Sequence, residues 1–175
     1  CPGSGGTTRS ETCPEKMGPD VDFGSSASVH RLPNGKTIVL AQQKSGVVWA
    51  FDPDRNGEIV WQSRIGTGPA IQFGHATDDS NGYFASPDSR ANPELGGLWA
   101  LRLATGERVW RVPPDCSAEG PCARAHLAAV TAMPGVVFAS TADGTMRAYA
   151  AADGKVLWQY KTAREYETVN RVLGK

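Results

Sequence analysis

The chain of 175 residues is long enough for one domain of ordinary size with a hydrophobic core. Its 18 lysine and arginine residues balance 18 aspartate and glutamate residues, so a nucleic-acid partner is not expected, because such partners usually require a basic excess. No apolar run approaches the roughly 20 residues of a membrane span.

The N-terminal segment is rich in glycine, serine and threonine and starts at Cys1 without a Met or a signal peptide, so we expect a mature product or a fragment. Cys1 and Cys13 bracket this segment, and Cys116 and Cys122 bracket a second short loop. Neither pair has the CxxC spacing of a zinc site. The sequence predicts two local disulfides, Cys1–Cys13 and Cys116–Cys122, in an oxidising compartment; four unpaired thiols are the alternative.

A glycine followed four residues later by a tryptophan occurs three times, at intervals of 49 and 48 residues: Gly57 with Trp61, Gly106 with Trp110, and Gly154 with Trp158. A second aromatic series lies one predicted strand earlier at intervals of 50: Trp49, Trp99 and Tyr149. Periods of about 20–50 residues are typical of repeat architectures. We therefore expect three copies of one structural unit.

Each unit contains short runs of β-branched, aromatic and small residues separated by turn signals. The third unit reads AHLAAVTAM, VVFASTA, TMRAYAA and KVLWQYKT, with Pro-Gly or Asp-Gly between successive runs. Such dipeptides favour hairpins, and no segment has the apolar spacing of a helix. Four antiparallel strands in about 45 residues are typical of a β-propeller blade. The predicted fold is therefore all-β, a partial propeller of about three blades.

We expect one partial propeller domain over residues 1–175: a loop at 1–24, blades at approximately 25–66, 70–113 and 124–162, and the start of a further blade at 163–175. Trp61, Trp110 and Trp158 are predicted to fill the gaps between stacked blades, where a large ring packs while its N–H finds a backbone partner. A three-blade arc leaves two edges and two apolar faces open. The remaining blades of a longer protein, or self-association, are expected to cover them.

The repeated segment resembles the tryptophan-docking motif of quinoprotein propellers, A-x-D-x-x-T-G-x-x-x-W. Residues 100–110 read ALRLATGERVW, residues 148–158 read AYAAADGKVLW, and residues 50–61 match with one insertion. The resemblance implies blades of the kind found in dehydrogenases that use pyrroloquinoline quinone (PQQ). Scaffold proteins such as the outer-membrane assembly lipoprotein use the same blades without a cofactor.

Residues 18–52 resemble the active-site blade of PQQ-dependent alcohol dehydrogenases, and the wording is most similar to the polyvinyl-alcohol type. Asp20 and Asp22 match the two acids of a W-D-Y-D segment, in which Pro19 stands in place of the tryptophan, and Lys44 matches the lysine of a Q-x-x-K-x-G hairpin. The resemblance implies that Asp20 is the general base, that Asp22 lies near a bound Ca²⁺ or lanthanide, and that Lys44 donates to the quinone oxygens. Taken alone, these residues are also compatible with a loop and a solvated hairpin charge.

The implied function is part of a periplasmic or secreted enzyme that oxidises a small or polymeric alcohol and passes electrons to a cytochrome c. The alternative is a non-catalytic propeller scaffold that binds protein partners. His30, His75 and His126 share no spacing, so a histidine metal site is not expected.

Overall fold

The computed structural model describes residues 18–19, 21–67, 73–87, 94–114 and 125–174. Within these ranges, three four-stranded antiparallel sheets follow one another along the chain, and the only helical element is a single 3₁₀ turn. The prediction of an all-β fold built from four-stranded blades is confirmed. Across the same residues, no helix has the length and apolar character needed to cross a membrane.

Each sheet pairs its strands in chain order and is called a blade below. Blade 1 contains β1 (Ser28–Arg31), β2 (Thr37–Gln43), β3 (Val47–Asp52) and β4 (Glu58–Arg64), with the 3₁₀ turn Pro53–Arg55 between β3 and β4. Blade 2 contains β5 (Ala76–Thr77), β6 (Asn81–Ser86), β7 (Gly97–Arg102) and β8 (Arg108–Val112). Blade 3 contains β9 (Thr131–Met133), β10 (Val136–Thr141), β11 (Thr145–Ala150) and β12 (Val156–Lys161). A separate pair, β13 (Tyr166–Glu167) and β14 (Leu173–Gly174), follows.

The register between the third and fourth strands fixes which residues are equivalent in the three blades. Each docking tryptophan lies opposite an alanine, and the register shifts directly after that alanine: Ala50 opposite Trp61, Ala100 opposite Trp110, and Ala148 opposite Trp158. The residue before each alanine is Trp49, Trp99 or Arg147. The counterpart of Trp49 and Trp99 is therefore Arg147 rather than Tyr149, because the two intervals between these alanines are 50 and 48 residues.

The hydrophobic core lies between the blades. Trp61 is 8% exposed and packs in a cluster that joins side chains of blades 1 and 2, and its Nε1–H donates to Leu103 O at 2.8 Å. Trp110 repeats this arrangement between blades 2 and 3, where Nε1–H donates to Ala151 O at 2.8 Å. Each ring thus buries a large apolar surface while its polar atom stays paired.

A glycine of the next blade receives each of these two rings. Gly106 has φ +72°, and a Cβ there would lie 2.5 Å from Cε3 of Trp61. Gly154 has φ +74°, and a Cβ there would lie 2.9 Å from Cε3 of Trp110. At the two ends of the arc, no other group lies within 4 Å of a Cβ placed at Gly57, and Trp158 is 50% exposed.

Candidate functional site

A tight turn between β2 and β3 carries Lys44 at its tip. The N–H of Gly46 donates to Gln43 O at 2.9 Å, and Gly46 adopts φ +84°. A Cβ at Gly46 would meet the backbone of Gly66 at 2.1 Å, so glycine allows the chain after β4 to pass directly over the turn. The glycine of the K-x-G pattern is therefore a requirement of the turn that presents Lys44.

The structure brings two of the predicted site residues together. The Nζ of Lys44 lies 2.9 Å from Oδ1 of Asp22, and the backbone N–H of Lys44 donates to Asp22 O at 2.9 Å. The Lys44 side chain is 16% exposed and the Asp22 side chain is 63% exposed. The segment before β1 therefore lies along the β2–β3 turn, with a shielded ammonium group beside a solvated carboxylate.

Gln42 is a polar residue of this site that the sequence did not indicate. It is 1% exposed, and its Nε2 donates to Ser25 Oγ at 2.9 Å and to the carbonyl oxygen of Phe73. Its Oε1 is buried and makes no hydrogen bond within the described residues. The buried amide links the segment before β1 to the segment before β5, and it lies on β2 two residues before Lys44 of the following turn.

A cavity of about 500 Å³ opens beside this amide, lined by residues 24–28 and 73–75. At the wall of this cavity, two histidines from neighbouring blades contact the same serine hydroxyl group. Ser28 Oγ lies 2.8 Å from Nε2 of His30 and 2.5 Å from Nε2 of His75, and Thr77 Oγ1 lies 3.3 Å from Nδ1 of His30. His30 and His75 are 45 residues apart in the chain, and no sequence pattern predicted that they share a hydrogen-bond partner.

Burial keeps both imidazoles neutral. It lowers the pKa of His75 to about 4, with a smaller contribution from nearby His30, and it lowers the pKa of His30. Neutral rings can each accept and donate one hydrogen bond, which matches a shared serine hydroxyl. The pair therefore adds polar groups without charge next to the cavity lined by Ser28 and His75.

The fit to a quinone and a cation can be tested on these residues. Lys44 offers a charged donor, and two residues earlier Gln42 offers a buried Oε1 acceptor that has no partner within the described residues. A charged donor suits a ligand rich in oxygen atoms. Asp22 supplies one hard oxygen ligand, and the described residues contain no group of three or more His, Cys, Asp or Glu side chains arranged to hold a metal. A Ca²⁺ ion takes six to eight oxygen ligands, so Asp22 would contribute only part of its coordination.

Five predicted residues lie outside the described ranges: Asp20, Cys1, Cys13, Cys116 and Cys122. The predicted general base and both predicted disulfides therefore stay predictions. Trp61 and Trp110 lie in the blade interfaces, and Trp158 lies on the uncovered face of blade 3.

The pattern of blades matches a known family over most of the chain. A family model, PQQ_2, described as outer membrane protein assembly factor BamB, matches residues 33–173. The chain belongs to the PQQ_2 family. The match covers all three blades from β2 of blade 1 to the strand pair after blade 3.

Two relatives that match most of the chain are polyvinylalcohol dehydrogenases. The protein from Pseudomonas sp. is 41% identical over 177 residues, which cover 94% of this chain and 27% of that protein. The protein from Sphingopyxis sp. is 34% identical over 170 residues, which cover 89% of this chain and 26% of that protein. The PQQ_2 chain thus spans about a quarter of the length of these relatives.

The fold is also similar to that of a solved quinohemoprotein. The quinohemoprotein alcohol dehydrogenase ADHIIG from Pseudomonas putida superposes with a TM-score of 0.57 at 19% identity, over 85% of this chain and 22% of that chain. At this identity the likeness shows the blade fold. Together with the family model and the 41% identity, it confirms the resemblance to quinoprotein dehydrogenases.

Proposed function

We propose that this chain forms part of a PQQ-dependent alcohol dehydrogenase of the polyvinyl-alcohol type. The observation that carries the proposal is the contact between Asp22 and Lys44, 2.9 Å between Oδ1 and Nζ. The resemblance assigns both the acidic segment and the hairpin lysine to one cofactor site, and the two residues meet here although 22 positions separate them. The identity of 41% to a polyvinylalcohol dehydrogenase supports the same proposal.

The proposed roles follow from the charges and positions of the side chains. PQQ, when bound, supplies the two-electron acceptor for alcohol oxidation. Lys44 donates to its oxygen atoms and stabilises negative charge there. Asp22 contributes one oxygen ligand to a Ca²⁺ or lanthanide ion, and Asp20 removes the hydroxyl proton of the substrate.

The wider setting of the proposed enzyme is a periplasmic or secreted protein. Its substrate would be a small or polymeric alcohol, and its electrons would pass to a cytochrome c. Further blades of a longer chain, or copies of this one, would cover the faces that carry Trp158 and Gly57.

A titration of the chain with PQQ, with and without Ca²⁺, tests the proposal. We expect cation-dependent binding that Lys44→Ala weakens at least tenfold, because the substitution removes the charged donor. Lys36→Ala is the matched control, since Lys36 lies at the exposed turn between β1 and β2. Equal binding by the wild type and Lys44→Ala would contradict the role of Lys44.

The catalytic role of Asp20 requires a longer protein that contains this segment. There we expect Asp20→Ala to abolish turnover while PQQ binding and folding persist, because a missing base slows proton removal without removing the contacts that hold the cofactor. Unchanged turnover would remove Asp20 from the mechanism.

A non-catalytic scaffold is the second candidate function. It is favoured by the family model, whose description names an assembly factor rather than an enzyme. A longer protein that binds neither PQQ nor Ca²⁺, and that retains its partners after Lys44→Ala, would support the scaffold and exclude the dehydrogenase.

A further inference from the structure

The crevice between blades 2 and 3 has a polar floor, whereas the equivalent crevice between blades 1 and 2 has an apolar one. The first has a volume of about 150 Å³, and its lining includes Arg147, which is partly buried, and the buried side chains of Tyr149, His126 and Thr141. The second has a volume of about 350 Å³, with Trp99 and Leu101 buried and Arg64 and Arg108 exposed at its rim. The buried residues at the floor of the two crevices therefore differ in polarity, although both linings contain polar groups.

The strand register shows that these differences occur at equivalent positions. Arg147 replaces Trp99, and Tyr149 replaces Leu101, since each pair flanks the alanine opposite a docking tryptophan. Burial of a guanidinium group is unfavourable unless it is paired. A repeat that elsewhere uses an indole here places a cation whose side chain is 16% exposed.

Arg147 contacts three groups among the described residues, and one of these contacts is a hydrogen bond between its guanidinium group and the side chain of Tyr149. Its Nη1 donates to Thr141 Oγ1 at 2.7 Å, and its Nη2 lies 3.9 Å from Oδ2 of Asp143. The Asp143 carboxylate accepts at shorter range from the Thr141 hydroxyl at 2.6 Å and from the Thr145 N–H at 3.0 Å. Because a guanidinium carries five N–H donors, Arg147 retains capacity to bind an anion.

The neighbouring aromatic groups add a hydrogen-bond donor without adding charge. Nε2 of His126 lies 3.1 Å from the hydroxyl of Tyr149, and His126 is 2% exposed. Its Nδ1 is buried and has no hydrogen-bond partner in the described parts of the chain. When the imidazole proton is on Nε2, that nitrogen donates to the tyrosine oxygen, and the tyrosine proton stays available to a ligand.

We propose that this crevice binds a small oxyanion, a monocarboxylate or inorganic phosphate, through the Arg147 guanidinium and the Tyr149 hydroxyl. The fork of an arginine matches both anions in geometry and charge. The crevice runs along β11 of blade 3, from Thr141 at the end of β10 to Val156 at the start of β12. The site is independent of PQQ, so its test does not depend on the dehydrogenase proposal.

Calorimetric titration of the chain with sodium acetate, and separately with sodium phosphate at matched ionic strength, tests the site. We expect saturable binding of at least one of the two anions, and the stronger one identifies whether a carboxylate or a phosphate is preferred. Arg147→Met should weaken that binding at least tenfold, and Tyr149→Phe severalfold. Arg108→Met, which removes an exposed cation from the rim of the equivalent crevice, should leave it unchanged.

Three outcomes would overturn the proposal. The first is the absence of saturable binding of either anion up to tens of millimolar. The second is an equal loss in Arg108→Met and Arg147→Met, which would show general charge attraction. The third is unchanged affinity in Tyr149→Phe, which also decides the matter if Arg147→Met does not fold.

Discussion

Gly106 and Gly154 each serve two requirements at one position. Both have positive φ, which closes the turn into the last strand of the blade, and both lie against the indole of the preceding blade. A side chain would therefore meet backbone strain and a ring at once. Gly135 also has a positive φ, of +80°, but open space surrounds it. A side chain there would meet backbone strain without a steric clash.

Gly106→Ala should destabilise the protein more than Gly135→Ala. Both substitutions place a Cβ in the left-handed region, at a cost of about 1–2 kcal/mol. Gly106→Ala should add about 1–3 kcal/mol of overpacking against Trp61. Urea unfolding of the two variants measures the difference, and equal losses would show that the ring moves away freely.

His126 should make the stability of the protein depend on pH. The pKa of His126 is lowered to about 4, mainly by burial and less by the nearby positive charge of Arg147, while Asp143 opposes both. The unfolded chain then binds a proton below about pH 6.5 that the folded chain does not bind, so stability falls as pH decreases from about 6.5 to 4.

The contribution of His126 between pH 7 and pH 5 is about 2 kcal/mol. His126→Gln should remove most of it, so the variant should lose less stability than the wild type between these two pH values. Urea unfolding at both pH values measures this. A loss as large in the variant as in the wild type would assign the pH dependence to other groups, such as His75.

Individual residues of the site were predictable only where a motif marked them. Asp22 and Lys44 were named from the sequence, and they lie 2.9 Å apart. Gln42 and the His30–Ser28–His75 contact were not predictable, because they depend on which residues of neighbouring blades face each other. Residue spacing and turn signals in a single sequence do not show which side chains of neighbouring blades face each other.

At the scale of elements, a blade is held mainly by its contact with the next blade. Trp61 and Trp110 each donate a hydrogen bond across an interface and lie within its apolar cluster. Trp158 occupies the same position in blade 3 but stacks on Tyr160, with ring centroids 6.0 Å apart. The same residue type therefore contributes differently according to its position in the array.

Trp61→Ala should destabilise the chain far more than Trp158→Ala. Removal of a buried indole leaves a cavity and an unpaired carbonyl, at a cost of about 3–5 kcal/mol. Removal of the half-exposed Trp158 should cost about 1 kcal/mol or less. Thermal and urea unfolding compare the two variants, and similar losses would mean that another group covers Trp158 in solution.

The strands and hairpins were largely predictable, since Asp-Gly and Pro-Gly turns alternate with short β-rich runs. The equivalence of Arg147 with Trp99 was not predicted, because a constant spacing of 50 residues pointed to Tyr149. The register shift beside each alanine fixes the true alignment. Strand pairing identifies equivalent residues of different blades more reliably than equal sequence spacing wherever turns differ in length by one or two residues.

At the scale of the whole molecule, the repeat decides the architecture, while function depends on departures from the repeat. The three-fold period and the docking motif were sufficient to predict blades of the quinoprotein type. The polar features that distinguish one blade from another, Lys44 in blade 1 and Arg147 in blade 3, break that period. The chain spans about a quarter of the length of its dehydrogenase relatives.

The one-directional docking of each tryptophan onto the following blade makes the molecule a linear array with nearest-neighbour coupling. Blade 2 packs against a neighbouring blade on both faces, through Trp61 against Gly106 and through its own Trp110 against Gly154. Blades 1 and 3 each have such a contact on one face. In such arrays local opening starts at the ends and moves inward. Amide hydrogens of β6 and β7 would then exchange with solvent most slowly, and the fraying of β12 would set how often the crevice at Arg147 opens.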